Sequence, residues 1–231
     1  MKLGIEVVCR YNSSRFKGKI LHQINNKSVL LNIVNRIKRH LPDYEICVAT
    51  SKNKTDDFVY EECILHGINI FRGDLLDVSG RLLACAKKFN WDYFVRINGD
   101  NIFVDVESLN EMINLTLEKK PNFITNVPSR TFPYGMSVEI IRTRFYENLY
   151  KTKRFSSSDK EHVTKWLYEN LKPNEYLEYK NLDYKNIKRK KLALDSKEDL
   201  DLIENILNSS GKRVSNIFLK DIDSFFKANK F

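Results

Sequence analysis

The fold is decided by the stretch Tyr93-Phe94-Val95-Arg96-Ile97-Asn98-Gly99-Asp100, near the middle of the chain. The apolar run at 93–97 predicts a buried strand, and Asn98-Gly99-Asp100 predicts the turn in which it ends. A carboxylate just past a strand end, beside a glycine that lets a ligand approach, is a common arrangement for holding Mg²⁺ on a phosphate. The alternative is a tight turn in which the Asp100 carboxylate only accepts backbone hydrogen bonds.

Short apolar runs and helical patterns alternate on both sides of this stretch. Strands are predicted at 5–9, 46–50, 68–71 and 123–125. Helices are predicted between them, at about 28–41, 55–66, 78–89 and 106–118. Strict alternation of this kind is typical of a mostly parallel sheet with helices on both faces, so the predicted fold class is α/β.

Residues 126–185 interrupt the alternation. They are rich in Tyr, Lys and Asn, and we interpret them as a protruding arm that contains a strand at 137–141 and a helix at 159–170. After the arm a strand is predicted at 191–194, and Ser196-Lys197-Glu198-Asp199 has the spacing of a capping box before a helix at 200–207. A last helix is predicted at about 218–229. No repeat or linker divides the chain, so residues 1–231 are predicted to form one domain with an arm.

The composition indicates a soluble globular protein. Of the 231 residues, 42% are hydrophobic and 30% are charged, and a chain of this length buries a full core without disulfides or a structural metal. The 39 Lys and Arg residues exceed the 30 Asp and Glu residues, which gives a net charge of +9. This charge suits an anionic ligand such as a nucleotide, a sugar acid or a nucleic acid. Exposed lysines without any ligand would give the same sum.

The four cysteines and the first residues favour a cytoplasmic protein. Each cysteine lies in an apolar stretch without C-x-x-C spacing or a nearby His, which predicts buried reduced thiols and disfavours zinc. Glu6 and Arg10 interrupt the segment where a signal peptide needs an unbroken apolar core. No run approaches the ~18 apolar residues of a membrane span.

The loop from Arg10 to Lys19 follows the first predicted strand and is a candidate phosphate site, because ligands of parallel α/β sheets bind beyond the carboxyl ends of the strands. Its fixed positive charges are Arg10, Arg15 and Lys19. Ser13, Ser14 and Gly18 let the backbone bend so that N–H groups face an anion. These features suit a triphosphate, although the loop is not a Walker A motif. The alternative is a solvated basic loop.

Two further residues are expected at the same edge of the sheet. Asp195 follows the strand predicted at 191–194 as Asp100 follows its own strand, and the pair predicts a shared Mg²⁺ site. The alternative for Asp195 is a carboxylate that stabilises the helix start beside Ser196. Arg81, in the segment that opens the third helix, is a candidate donor to a nucleotide base, and its alternative is a surface arginine.

Ordered motifs across residues 5–207 resemble the cytidylyltransferases that activate 3-deoxy-manno-octulosonate and sialic acids, with an order most similar to the spore-coat polysaccharide synthesis branch. The motifs are Arg10-Tyr11-x-Ser13-x-Arg15-x-x-Gly18-Lys19, Phe71-Arg72-Gly73 with Asp77 and Arg81, Arg96-Ile97-x-Gly99-Asp100, Val104-Asp105, Pro133-x-Gly135-x-x-Val138-Glu139, Glu161-His162-Val163-Thr164 and Leu194-Asp195-Ser196-x-Glu198-Asp199-Leu200. The chain departs from the family's usual pattern at Asn101-Ile102-Phe103, where a proline-containing segment is common, and at Ser137, where the branch commonly has Asp.

The resemblance implies a nucleotide-diphospho-sugar-transferase-like fold and transfer of CMP from CTP to an acidic sugar, with release of pyrophosphate. The resemblance implies that CTP is bound by Arg10, Ser13, Arg15, Lys19, Arg72, Arg81 and Asp100. It implies that Arg10, Arg15, Lys19 and Asp100 are catalytic residues. It assigns the Mg²⁺ cofactor to Asp100 and Asp195. It assigns the acceptor sugar to Tyr134, Gly135, Glu139, Glu161 and His162.

The resemblance also implies a homodimer that forms through the arm. The arm's aromatic residues, which include Phe132, Phe145, Phe155 and Trp166, exceed what a solvent-facing segment requires. They could equally pack on their own domain. No side chain stands out as a general base. His162 is the histidine expected near the acceptor, and its alternative is a histidine that only packs or orients a loop.

Two other functions stay open at this point. One is a glycosyltransferase on the same type of fold that consumes a nucleotide sugar, and release of pyrophosphate from CTP separates it from a cytidylyltransferase. The other is a basic nucleic-acid-binding module, which only the net charge favours, since the sequence contains no recognised nucleic-acid motif.

Overall fold

A seven-stranded sheet forms the centre of the computed structural model, which describes residues 1–13 and 15–229. In chain order the strands are β1 (Leu3–Val8), β2 (Gln23–Ile24), β3 (Lys27–Ser28), β4 (Glu45–Ser51), β5 (Asn69–Gly73), β6 (Tyr93–Asn98), β7 (Phe123–Thr125), β8 (Val138–Arg142) and β9 (Leu177–Glu178). The strand order in the large sheet is β5-β4-β1-β6-β8-β7-β9, and β2 pairs with β3 in a small hairpin.

The sheet is mostly parallel. β1 pairs in parallel with β4 and β6, β4 pairs in parallel with β5, and β7 pairs in parallel with β9. β8 runs antiparallel to both of its neighbours, β6 and β7. The segment interpreted as an arm therefore returns to the sheet twice, since it contributes β8 to the interior and β9 to an edge.

Helices cover both faces of the sheet, which confirms the predicted α/β class. They are α1 (Val29–His40), α2 (Asp57–Leu65), α3 (Val78–Lys88), α4 (Val106–Lys119), α5 (Thr143–Thr152), α6 (Ser157–His162), α7 (Lys165–Asn170), α8 (Lys197–Ser210) and α9 (Leu219–Asn229). One apolar cluster packs α1, α2, α4, α8 and α9 against the sheet, and a second cluster packs α3, α5 and α7 against the opposite face.

Two predicted elements differ from the structure. The single helix predicted at 159–170 is two helices, α6 and α7, because the chain turns at Val163, whose φ is 47°. The strand predicted at 191–194 is wrong: its only ladder contact is one bridge between Lys191 and Tyr134. The capping box that begins α8 is confirmed, since the side chains of Ser196 and Asp199 each accept a hydrogen bond from the other residue's backbone N–H.

The arm's aromatic residues pack within the chain. Phe132 is only 3% exposed. The ring of Phe155 contacts those of Tyr146, Tyr150 and Trp166 at centroid distances of 6.1, 5.7 and 6.2 Å. Intramolecular packing accounts for Phe132, while Phe145, Phe155 and Trp166 are half-buried against the second cluster. The dimer stays a prediction.

The four cysteines are buried as free thiols, as predicted. Burial raises the pKa of the Cys9 and Cys63 thiols, which keeps them protonated at neutral pH. Across residues 1–13 and 15–229, no helix is both long and apolar enough to cross a membrane.

Arg36 in α1 connects three distant parts of the chain. Its side chain is 1% exposed, and its guanidinium donates hydrogen bonds to the carbonyl oxygens of Val104 (2.7 Å), Val214 (2.6 Å) and Ile217. Burial lowers the pKa of Arg36 to about 10, so the group stays charged at neutral pH. The partners of the buried guanidinium are backbone carbonyl groups and not a carboxylate.

Replacement of Arg36 by Met removes the donors to all three carbonyls, and the Val214 carbonyl keeps only a long bond, of 3.4 Å, from the Ile217 N–H. We expect a loss of about 3 kcal/mol in the free energy of unfolding, because each buried unsatisfied acceptor costs roughly 1–3 kcal/mol. Urea denaturation followed by circular dichroism measures it. Arg39→Met, at an exposed position on the same helix, is the matched control and should change stability by less than about 0.5 kcal/mol. Equal effects of the two variants would contradict the assignment.

Candidate active site

A cavity of about 530 Å³ opens beyond the carboxyl ends of β1 and β6. The loop after β1, the end of β6, the first turn of α3 and the end of α6 all line it. Eight residues singled out in the sequence lie in its wall: Arg10, Ser13, Arg15, Lys19, Arg81, Asp100, Glu161 and His162. Ser14, also expected in the loop, lies outside the described residues.

Two carboxylates and one ammonium group meet at one end of this cavity, its floor. Lys19 and Asp100 line the cavity, and Asp195 contacts Lys19 without lining it. The Lys19 Nζ atom donates to Asp195 Oδ1 at 2.8 Å and lies 3.8 Å from Asp100 Oδ2. The two carboxylate oxygens are therefore no farther apart than the sum of these distances, well within the ~10 Å that a shared Mg²⁺ site permits. Asp100 and Asp195 converge as the sequence predicts.

Asp195 reaches the floor by backbone hydrogen bonds rather than as the end of a strand. The Leu192 N–H donates to the Tyr134 carbonyl at 2.7 Å, and the Leu194 N–H donates to the Asp100 carbonyl at 3.2 Å. Gly135 permits this contact: its φ is 92°, and a Cβ atom there would lie 2.3 Å from the Ala193 nitrogen. The sequence placed Asp195 correctly, but through a strand that does not exist.

The glycine before Asp100 serves packing within the protein. A Cβ atom on Gly99 would lie 2.6 Å from Cys9 Cβ and 3.2 Å from the Val8 carbonyl. The ends of β1 and β6 can therefore approach each other only if residue 99 lacks a side chain. The protein fills the place that a Cβ atom on residue 99 would take, while Gly99 itself still lines the cavity.

Positive charge surrounds the two carboxylates. Arg15 Nη1 lies 3.0 Å from Asp195 Oδ2, and Lys191 Nζ lies 3.8 Å from the same oxygen. Burial raises the pKa of the Asp100 carboxyl, and the nearby Asp195 raises it further while Lys19 lowers it. The Asp100 side chain keeps 23% of its surface exposed, so it faces the cavity.

The Asp100 and Asp195 carboxylates fit a divalent cation. Carboxylate oxygens are the ligands that Mg²⁺ prefers, and one or two of them together with substrate phosphates form its usual site. Within residues 1–13 and 15–229, no group of three or more His, Cys, Asp or Glu side chains is arranged to hold a metal. A site completed by the substrate is therefore the metal site that these residues fit.

Arg81 is a buried residue of the cavity wall, so its interpretation as a surface arginine is wrong. It is 4% exposed, and its Nη1 atom donates to the Asp74 carbonyl at 3.0 Å. Burial lowers its pKa. The Arg81 Nε atom is buried and has no hydrogen-bond partner. The side chain is fixed in place and retains donors for a ligand.

A second cavity, of about 450 Å³, lies beside the first. Arg96, Asn98 and His162 line both cavities and form the border between them. The remaining wall of the second cavity consists of Val127, Arg130, Ser137, Glu139, Thr164, Lys165, Tyr168 and Glu169. No role for Arg96 or Asn98 is predicted from the sequence, although both lie in strand β6. They lie at the border only because the distant elements β8 and α6 pack beside the end of this strand.

Glu139 on β8 organises the border and is also part of the wall of the second cavity. Its side chain is 3% exposed and forms an ion pair with Arg96. The hydroxyl groups of Thr164 and Tyr168 each donate to Glu139 Oε1 at 2.7 Å. The Glu139 carboxylate is thus occupied by protein donors, and it positions Arg96 and the start of α7.

A protein-family model described as "Cytidylyltransferase" matches residues 6–224. The chain belongs to the cytidylyltransferase family. It is 30% identical over 213 residues to an uncharacterized protein, MJ1063, of Methanocaldococcus jannaschii, with 88% of this chain and 86% of that protein covered. It is 26% identical to the spore coat polysaccharide biosynthesis protein SpsF of Bacillus subtilis, with 90% and 87% covered.

Among solved structures, a cytidylyltransferase from Leptospira borgpetersenii superimposes with a TM-score of 0.90 at 29% identity, covering 100% of this chain and 95% of that chain. The family assignment agrees with the resemblance found in the motifs and favours neither a glycosyltransferase nor a nucleic-acid-binding module.

Three residues assigned by the resemblance line neither of these two cavities of this cytidylyltransferase, although Arg72 lines a neighbouring cavity that shares Arg81 with the first. The Arg72 guanidinium donates to the Ser51 and Asn53 carbonyls, at 2.9 and 3.1 Å, and these bonds fix a loop. Tyr134 carries the Arg130 guanidinium over its ring at 4.6 Å. Gly135 supports the segment that bears Asp195, as described above. None of the three lines either cavity.

The two departures from the family pattern contact each other. The Asn101 side-chain amide donates to the Ser137 carbonyl at 2.9 Å, and Asn101 is 1% exposed. Ser137 lines the second cavity. The two changes therefore act on one side of the molecule, that of the second cavity, and leave the carboxylate floor unchanged.

Replacement of Asp100 by Asn should stabilise the metal-free protein. A carboxyl whose pKa is higher in the folded than in the unfolded state binds its proton more tightly in the folded state. The free energy of unfolding therefore falls as the pH rises through the pKa of the folded state and the carboxyl ionises. We expect the Tm in EDTA at pH 7.5 to rise by a few degrees, and the gain to shrink as the pH falls towards the range in which the Asp100 carboxyl takes up its proton. Lys19 retains Asp195 as its partner in this variant.

Differential scanning fluorimetry across this pH range measures the effect. Asp201→Asn, at an exposed position on α8, is the control and should leave the Tm unchanged. A lower Tm for Asp100→Asn at every pH would show that the interaction with Lys19 outweighs the cost of burial.

Proposed function

We propose that the protein transfers CMP from CTP to an acidic sugar, releases pyrophosphate and depends on Mg²⁺. One observation carries this proposal: Asp100 and Asp195 converge on Lys19 at the floor of a cavity whose rim is cationic, in a chain of the cytidylyltransferase family. A triphosphate supplies the negative charge that the rim lacks, and its phosphates complete the coordination of a divalent cation.

The phosphates of CTP would lie along Arg10, Arg15 and Lys19, and the base would approach Arg81. The chain supplies positioning and charge neutralisation, which account for most of the acceleration in reactions at phosphorus. When bound at Asp100 and Asp195, Mg²⁺ would act as a Lewis acid that neutralises charge on the phosphate oxygens. As the triphosphate enters, the Lys19 ammonium can exchange its carboxylate partners for phosphate oxygens.

The second cavity supports an acidic acceptor. Arg96, Arg130 and Lys165 are cationic residues of its wall. Of its two acidic residues, Glu139 is already paired with Arg96, so only Glu169 offsets the remaining positive charge. A sugar carboxylate matches this excess. The similarity to a spore coat polysaccharide biosynthesis protein supports a role in the synthesis of a surface polysaccharide.

The proposal is tested by a screen of CTP, UTP, ATP and GTP with and without Mg²⁺. We expect CTP to give the largest thermal shift, since a site that hydrogen-bonds a base rejects bases with other donors and acceptors. Pyrophosphate release from CTP, with 3-deoxy-manno-octulosonate and N-acetylneuraminate as trial acceptors, then tests the transfer. Asp195→Asn should lower kcat by at least about 100-fold, because the loss falls on the transition state.

Arg81→Met should weaken CTP binding by roughly tenfold and narrow the preference for CTP over UTP. Arg72→Met is the matched control, because Arg72 lies outside the nucleotide cavity. Isothermal titration with both nucleotides measures the two affinities. Equal losses in the two variants, or equal binding of all four nucleotides by the unmodified protein, would contradict the proposed role of Arg81.

We also propose that the protein is a homodimer, on the strength of the family resemblance alone, since the arm's aromatics pack within the chain. Light scattering at micromolar concentration should give twice the chain mass of 27.2 kDa. A monomeric mass in a fully active sample would dismiss the dimer.

A further inference from the structure

The border between the two cavities is where the proposed reaction would take place. In-line displacement at the α-phosphorus requires the acceptor oxygen to approach from the side opposite the departing pyrophosphate. If the phosphates lie along the basic loop and the acceptor lies in the second cavity, the reacting atoms meet beside Arg96, Asn98 and His162. Only the imidazole of these three can take up a proton near neutral pH, because a guanidinium is already protonated and an amide is not basic.

His162 is followed by a strained backbone turn. Val163 has φ 47° and ψ −63°, and the Thr164 N–H donates to the His162 carbonyl at 2.5 Å. This is a classic γ-turn, which is rare, and positive φ is especially unfavourable for a β-branched residue. Such strain costs roughly 1–3 kcal/mol and persists only where surrounding contacts impose it.

Contacts on both sides of the turn impose this conformation. The Val163 side chain is fully buried, and its carbonyl accepts a 2.6 Å hydrogen bond from the Tyr146 hydroxyl. Thr164 is held by Glu139, the same carboxylate that pairs with Arg96. The turn ends α6 at His162 and keeps this exposed residue at the border, while a continuous helix over 159–170 would carry it elsewhere.

We propose that His162 is the general base of the transfer, an inference that rests on the proposed function. The acceptor hydroxyl oxygen forms a bond to the α-phosphorus of CTP as the bond from that phosphorus to the bridging oxygen breaks. Pyrophosphate leaves with the electron pair of the broken bond. The hydroxyl proton passes to the imidazole of His162 and then to solvent. Glu139 and Thr164 are positioning residues, since they act through the turn.

Charged residues share both cavities with His162. The first cavity is lined by Arg10, Arg15, Lys19, Arg81, Asp100 and Glu161. The second is lined by Arg96, Arg130, Glu139, Lys165 and Glu169. Cations outnumber anions in both cavities, and the phosphates of a bound nucleotide would add the negative charge that stabilises an imidazolium formed during the transfer.

An NMR titration of the His162 imidazole in the full chain, with and without CTP, tests its position without any acceptor. His162→Gln identifies its resonances among those of the four histidines. We expect saturating CTP to shift the ring resonances of His162 and to leave those of His66, at the end of α2, unchanged. Unshifted His162 resonances in the presence of saturating CTP would overturn the inference, since no phosphate would then lie beside the imidazole.

Kinetics test the role. We expect His162→Gln to lower kcat by about 100-fold or more, to keep CTP affinity within about twofold, and to abolish the loss of kcat at acidic pH. His66→Gln is the control and should retain full activity. If His162→Gln releases pyrophosphate at the rate of the unmodified protein, the inference about His162 is wrong and the proposed function still stands. If the unmodified protein binds CTP but no sugar acid elicits pyrophosphate release, the proposed function fails and the inference fails with it.

Discussion

Two carboxylates that share one ammonium group set the architecture of this cytidylyltransferase. Asp100 and Asp195 carry like charges at a half-buried floor, an arrangement that is unfavourable unless a cation lies between them. Lys19 supplies that cation from a third segment of the chain. The loop after β1, the end of β6 and the segment before α8 must therefore meet at one point, and the order of strands in the sheet brings the first two together.

The buried and half-buried carboxylates around the two cavities have two different kinds of partner. Asp100 and Asp195 are held by groups that a ligand can replace, namely the Lys19 ammonium and, for Asp195, the Arg15 guanidinium. Glu139 is held by Arg96 and two hydroxyl groups that are themselves part of the packed framework. A carboxylate of the first kind is available for chemistry, and one of the second kind maintains a shape. A sequence motif does not distinguish the two kinds of carboxylate.

The sequence predicts the local elements well because periodicity and caps are local properties. The strand that ends in Asn98, the helix at 78–88 and the capping box at Ser196 follow directly from the residues. Contacts between distant segments are not encoded this way. Asp195 was placed correctly through a strand that is absent, since the decisive contact is the close approach of Gly135 to Ala193. The break at Val163 was missed because no glycine or proline marks it and tertiary contacts impose it.

Arg36 has a consequence for how the protein is made. Two of the three carbonyls that accept from the Arg36 guanidinium belong to Val214 and Ile217, which follow Arg36 in the chain by 178 and 181 positions. Until those residues have left the ribosome, a nascent chain that buried Arg36 would bury a charge with most of its partners missing, at a cost of several kcal/mol. The half of the sheet that contains β1, β4 and β6 can collapse during synthesis, yet its core cannot close around α1. We expect the core around α1 to close only after residues 214–217 are available to accept those bonds.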